Sequence, residues 1–152
     1  MKLQKSKGFT LIELLVVIAI IGILASIVLV SFPGATKKAK DTRIVSAVGQ
    51  ARTVMTYVYA NDGNYDAFDC TGDMVSLCAE ILNNNPGGID PTIAHDAASG
   101  STAACIYSLL NAKDDYWYCA DSTGIAGFTT TDPGGVGYCV DDASAVCPTV
   151  TS

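Results

Sequence analysis

From Leu14 to Thr36 the chain runs for 23 residues without a charged side chain, and its apolar positions are continuous rather than alternating. At about 1.5 Å per residue a helix of that length reaches roughly 34 Å, enough to cross a hydrocarbon core of about 30 Å. Pro33-Gly34 is predicted to kink or interrupt it, because proline removes a backbone donor and glycine weakens helix. Farther on the pattern changes: Ile44, Ala47, Val48, Ala51, Val54, Met55 and Val58 recur every three or four residues, while Arg43, Ser46, Gln50 and Arg52 fall on other faces. That spacing predicts an amphipathic helix whose apolar stripe packs under a small sheet. Asn61-Asp62-Gly63 is its stop signal.

Beyond residue 63 the elements are short. Ala104 to Leu110 and Tyr116 to Ala120 read as strands joined by Asn111 to Asp115, and Asp132-Pro133-Gly134-Gly135 as a turn. Asn83 to Ser101, with Pro86-Gly87-Gly88 and Pro91, reads as a loop. Tyr118-Cys119-Ala120-Asp121 returns as Tyr138-Cys139-Val140-Asp141, which points to two neighbouring strands. The fold class is therefore α+β: a long N-terminal helix, membrane-spanning in its first half and amphipathic in its second, packed on a small antiparallel sheet. The divisions fall at 1–8, 9–36, 37–62 and a globular 63–152.

Six cysteines, Cys70, Cys78, Cys105, Cys119, Cys139 and Cys147, all lie in that last part. An even number beyond a membrane span argues for disulfides formed outside the cytoplasm. Zinc is disfavoured, since no Cys-x-x-Cys pair occurs and His95 is the only histidine. Fifteen pairings are possible. Folding the predicted hairpin about Ala112 sets Cys105 opposite Cys119, within bridging distance. Cys70 with Cys78 and Cys139 with Cys147 remain as local closures.

Charge is unevenly divided within a net −6. After Arg52 the chain carries Lys113 alone against thirteen carboxylates. Such a head is a poor match for a nucleic-acid backbone, so no direct nucleic-acid partner is expected. At the other end Lys2, Lys5 and Lys7 form a basic leader that should stay cytoplasmic. A secretory signal has an apolar core of about 7 to 15 residues before a small-residue cleavage site, which this long run does not resemble.

One carboxylate, Glu13, sits just inside the apolar run. An acid in a spanning helix costs on the order of 2.5 to 3.5 kcal/mol and calls for a cationic partner. The junction Gly8-Phe9-Thr10-Leu11-Ile12-Glu13, with the run Leu-Leu-Val-Val-Ile-Ala-Ile-Ile-Gly-Ile-Leu-Ala after it, resembles the N-terminus of type IV prepilins and the related pseudopilins. The resemblance covers about the first 35 residues closely. It implies cleavage after Gly8 by a prepilin peptidase, methylation of Phe9, and a pilin-like head behind the helix. The new amine on Phe9 is then the partner for Glu13, on the same or a neighbouring subunit. The resemblance also implies that Gly22 to Pro33 can lose helical order in a filament, with a plain membrane helix as the alternative.

Catalytic motifs are lacking. His95 stands beside Asp96, yet no Gly-x-Ser-x-Gly, Walker or dinucleotide pattern occurs. Asp62, Asn64, Asp66 and Asp73 partly mimic a calcium loop, but Ala67 stands where such a loop needs glycine and Asp73 replaces the bidentate glutamate. A helix-ending turn is the simpler assignment. Neither cofactor nor metal is expected, and the function class is non-enzymatic: a subunit that waits in the cytoplasmic membrane with its N-terminus inside, then polymerises with copies of itself into an extracellular pilus. An assembly platform and a cytoplasmic ATPase are implied as partners. The alternatives are a pseudopilin of a type II secretion system and a minor tip subunit acting as a binding module.

Overall fold

The computed structural model describes residues 8–97, 99–140 and 144–151, apart from the side chains at 30 and 31. The leader lysines and Asp141 lie outside the described residues. Two compact units, Met1–Thr36 and Lys37–Ser152, are distinguished. A single helix, α1, is assigned from Leu11 to Asp62, with Pro33 inside it.

The expected interruption at Pro33-Gly34 is therefore corrected. Proline removes one backbone donor, whereas a break in an apolar medium strands several donors and acceptors at once. Within this stretch Ser26 Oγ donates to the Gly22 carbonyl at 2.8 Å and Thr36 Oγ1 to that of Phe32 at 3.1 Å. Gly22 to Pro33 is helical throughout.

In the second unit α1 ends as its sequence requires: Gly63, at φ 71°, sends its N–H back to the Tyr59 carbonyl at 2.9 Å. The predicted stripe is buried. Ile44, Ala47, Val48, Ala51, Met55 and Val58 form one core with Phe68, Met74 and Ile81 and with Ala104, Ile106 and Ala120 of the sheet. A short 3-10 turn, Gly72–Met74, leads into α2, Val75–Asn84, which supplies Cys78 and Ile81 to this core. Pro86 follows the end of α2 closely, as is common where a helix stops.

The sheet contains β1 (Thr92–His95), β2 (Ala104–Leu109), β3 (Trp117–Asp121) and β4 (Ala126–Thr129), antiparallel in that order. The strand β1 corrects the reading of Asn83 to Ser101 as loop throughout. Pro91 and the surrounding glycines mask four residues whose strand character comes from pairing with β2. The two expected strands of the central hairpin are present, but in a different register. Cys105 pairs with Asp121 and Cys119 with Tyr107, two residues away from the fold about Ala112.

That register decides the disulfides. Cys105 and Cys119 share one face of the sheet, opposite the face turned to α1, and each bonds a cysteine of the C-terminal segment: Cys105–Cys139 and Cys119–Cys147. The expected Cys105–Cys119 and Cys139–Cys147 bonds are overturned, while Cys70–Cys78 forms as a local closure. The C-terminal segment is thus a strap over the outer face, where Ala94, Cys105, Cys139 and Ala145 make a second small core. Of its second Tyr-Cys-Val-Asp stretch, the described residues Tyr138 to Val140 form no strand. The Asp132–Gly135 turn forms, with the Gly135 N–H on the Asp132 carbonyl at 3.0 Å, and Gly137 takes φ 91°, so the backbone bends where an extended run would be needed.

Two carboxylates pin these layers. Asp41 of α1 accepts the backbone N–H groups of Asn111 at 2.6 Å and Ala112 at 2.9 Å, capturing the β2–β3 loop. Asp121, almost fully buried, accepts Thr123 and Ile125 N–H on Oδ1 and the Cys147 N–H on Oδ2.

Candidate functional site

The junction at Gly8 to Glu13 is open. A Cβ placed on Gly8 would meet nothing within 4 Å, and Phe9 is 81% exposed. Helix α1 begins at Leu11, and the reason lies in two polar side chains. Thr10 Oγ1 accepts the Glu13 N–H at 3.3 Å, while Glu13 Oε2 accepts the Thr10 N–H at 2.8 Å and the Thr10 hydroxyl at 2.6 Å. This reciprocal arrangement is a capping box, which satisfies two of the donors a helix start leaves free.

Thr10 is thus a site residue in addition to Gly8, Phe9 and Glu13. Its signal was present: a threonine followed at the third residue by glutamate, just before an apolar run, is the sequence signature of this cap. The consequence is positional. The Glu13 carboxylate is bent back toward the helix N-terminus, the direction in which Phe9 and the Gly8–Phe9 peptide bond lie. The Phe9 nitrogen is a peptide amide, and the carboxylate is held by Thr10.

Around this carboxylate the surface is apolar. Phe9, Ile12, Val16 and Val17 line a shallow hollow with Glu13, and the large apolar side chains from Leu11 to Leu29, with Phe32, are about half exposed or more. The helix is long and apolar enough to cross a membrane. A contiguous apolar surface of this size needs a cover, either lipid or other apolar helices.

The other residues singled out from sequence play structural parts. Asn64 Oδ1 accepts the Asp66 N–H, and Asp66 accepts Gly100 N–H at 2.6 Å, Ser101 N–H at 2.8 Å and the Ser101 hydroxyl at 2.6 Å. The hydroxyl of Ser101 and these amides hold the Asp66 carboxyl below the usual carboxylate range. Among the described residues no group of three or more His, Cys, Asp or Glu gathers as a metal site, so Asp62, Asn64, Asp66 and Asp73 are not brought together as one. His95 Nε2 lies 2.9 Å from the Phe68 carbonyl, while Asp96 accepts Thr102 and Ala103 amides. The six cysteines are all paired.

Residues 3–29 match the prokaryotic N-terminal methylation motif. Over 90 residues the chain is 36% identical to the type IV major fimbrial protein FimA of Dichelobacter nodosus, covering 56% of each chain. It is 31% identical over 97 residues to the type IV wide pilus major component PilA4 of Thermus thermophilus, covering 64% of this chain and 70% of that one. A fimbrial protein of Pseudomonas aeruginosa is 26% identical over 133 residues, 77% of this chain and 86% of its own length. No solved structure matches the chain significantly. The chain spans little more than half of the Dichelobacter protein but over two thirds of the Thermus one. Taken with the N-terminal motif, the uninterrupted apolar helix and the disulfide-bonded head, this likeness shows that the chain belongs to the type IV pilin family.

Proposed function

We propose that the chain is a structural subunit of a type IV pilus. Its parts are a leader at 1–8, an assembly helix at 9–36, an amphipathic helix at 37–62 and an extracytoplasmic head at 63–152. It is held in the cytoplasmic membrane with its N-terminus inside, cut after Gly8 by a prepilin peptidase and methylated on Phe9. An assembly platform in the membrane and a cytoplasmic ATPase extract it into the filament. The observation that carries this reading is a single carboxylate, Glu13, at the start of an exposed apolar helix and turned toward the residue that cleavage converts into an amine.

The physical sequence is simple. Cleavage frees a primary α-amine on Phe9, which single methylation turns into a secondary amine that stays protonated, and a carboxylate in a low-dielectric setting gains most from a cation in direct contact. Pairing removes the burial penalty of both charges. Because lipid and a protein core are similarly apolar, transfer of the helix between them gains little hydrophobic energy. Close packing and the Glu13 pairing therefore set the axial register. The head faces water, and its acidic surface keeps it soluble.

The names of the matched relatives, major fimbrial and pilus components, support a filament role. Mass spectrometry of sheared surface filaments tests it. A dominant band beginning with N-methylated Phe9 is the expected result, and material that still begins at Met1 contradicts it.

A further inference from the structure

Along β2 the residues facing away from α1 are Cys105, Tyr107 and Leu109, paired across β3 with Asp121, Cys119 and Trp117. The C-terminal strap bonds this face at Cys105 and Cys119. Tyr107, Leu109 and Trp117 are left half-buried, and with Ile89, Asp90 and Asp132 they line a groove of about 240 Å³. Both of its loops are fixed. The buried Asn85 side chain accepts the Ile89 N–H at 2.9 Å and donates to the Ile89 carbonyl, which locks the 85–89 loop. In the 132–135 turn Asp132 Oδ1 accepts the Gly134 N–H at 2.9 Å, and a Cβ on Gly134 would lie 2.6 Å from the Tyr107 hydroxyl. Such a preorganised groove spares a ligand the cost of ordering it.

Charge selects what fits there. Asp90 and Asp132 are exposed, and among the described residues no lysine or arginine lines this groove and the Asp90 carboxylate has no hydrogen-bond partner. In the adjoining hollow past Trp117, Lys37 and Lys113 stand with Asp114 and Asp115, so that end is balanced. Two unneutralised carboxylates beside an indole attract a cation, for which tryptophan is the best aromatic face. The apolar Ile89 and Leu109 disfavour a primary ammonium, which is compact and strongly hydrated, and favour an alkylated one. The volume lies below the roughly 300 to 1,000 Å³ of sites for drug-sized ligands and suits a single head group.

We propose that this groove binds a quaternary ammonium head group, held by the Trp117 ring and by the charges of Asp90 and Asp132. The site does not depend on the filament reading. A choline lipid head and a trimethylated lysine side chain share its chemistry.

Trp117 is the single tryptophan of the chain, so indole fluorescence of the full chain in an uncharged detergent reads the groove directly. Choline should change it saturably, and less tightly as salt rises, whereas dimethylbutanol, its uncharged carbon isostere, should not. Asp90→Asn, which breaks no hydrogen bond, should weaken choline about fivefold, as should Asp132→Asn, which keeps an acceptor for the Gly134 N–H. Asp73→Asn, an exposed acid outside the groove, should behave as wild type. Glycerophosphocholine and trimethyllysine amide carry the same head on a lipid and a peptide frame. A response to either upholds the site, and the tighter one names the source. No saturable response to choline, an equal response to dimethylbutanol or to glucose, tighter binding of lysine amide, or an unchanged Asp90→Asn variant overturns the assignment.

Discussion

The Asp121 carboxylate, at the end of β3, accepts the backbone N–H of Cys147 at 2.8 Å, on the residue whose sulfur bonds Cys119 two positions back along the same strand. One covalent bond and one charge-assisted hydrogen bond thus hold the same point of the C-terminal strap. Asp121 also closes its own turn through Thr123 and Ile125, so it joins the β3–β4 connection to the strap. Asp121→Ala leaves several buried donors without an acceptor. We expect a loss of at least about 1–3 kcal/mol, read as a lower denaturant midpoint at unchanged slope with the disulfides intact.

The strap disulfides close loops with separations of 34 and 28 residues, against 8 for Cys70–Cys78. In the loop-entropy account the long closures contribute about 3.5 to 4 kcal/mol each and the short one about 2.5. Paired serine substitutions of Cys105 and Cys139 should therefore lower stability more than those of Cys70 and Cys78. A nonreducing peptide map should link Cys105 to Cys139 and Cys119 to Cys147.

At Gly127 the strap passes so close that an added Cβ would lie 2.8 Å from the Thr151 carbonyl oxygen and 2.9 Å from Val150 Cβ. The paired N–H and carbonyl groups of Phe128 and Thr151 hold that approach. Gly127→Ala should cost roughly 1–3 kcal/mol, as overpacking does. Amide exchange at Thr151 should quicken as its pairing with β4 loosens.

Asp66 and Asp96 together accept four consecutive backbone amides, Gly100 to Ala103. The Ser101 hydroxyl, followed by the Gly100 and Ser101 amides, lowers the pKa of Asp66. For Asp96 the Ala103 amide leads and the Thr102 hydroxyl follows. Carboxyls lowered in the folded state stabilise it above their unfolded value, near 3.9, and lose that contribution as pH falls through the folded value. The 100–103 amide resonances should be constant from neutral pH down to about 4 and move only below it. Movement centred well above pH 5 would contradict this assignment.

Glu13→Ala removes both the cap and the partner proposed for the Phe9 amine. Membrane levels of the subunit should persist while sheared filaments disappear. Thr10→Val, which keeps the carboxylate but deletes the hydroxyl, should reduce filament yield without abolishing it. Ordinary yield from Glu13→Ala would remove the charge pairing from the assembly account.

Much of the fold is legible where a local period is strong. The Ile44 to Val58 stripe announces its burial because a helix repeats every 3.6 residues, and Asn61-Asp62-Gly63 ends it for reasons of backbone geometry alone. The capping box at Thr10 and Glu13 is equally local. The hairpin register is not, because Asp41, seventy residues upstream of Asn111, captures the loop. Nor is the burial of both faces of β2, where Ala104, Cys105 and Ile106 are consecutive buried residues and the alternation that marks a half-exposed strand is missing.

By itself the sequence determined the apolar helix with its one acid, the N-terminal methylation motif and the amphipathic continuation. Each depends on residue spacing along a single element. Only the tertiary structure decided which cysteines meet, that Thr92–His95 is a strand, and that the C-terminal segment is a strap. These follow from which backbones come to lie side by side, and a shift of two residues in one hairpin is enough to send Cys105 to a different partner.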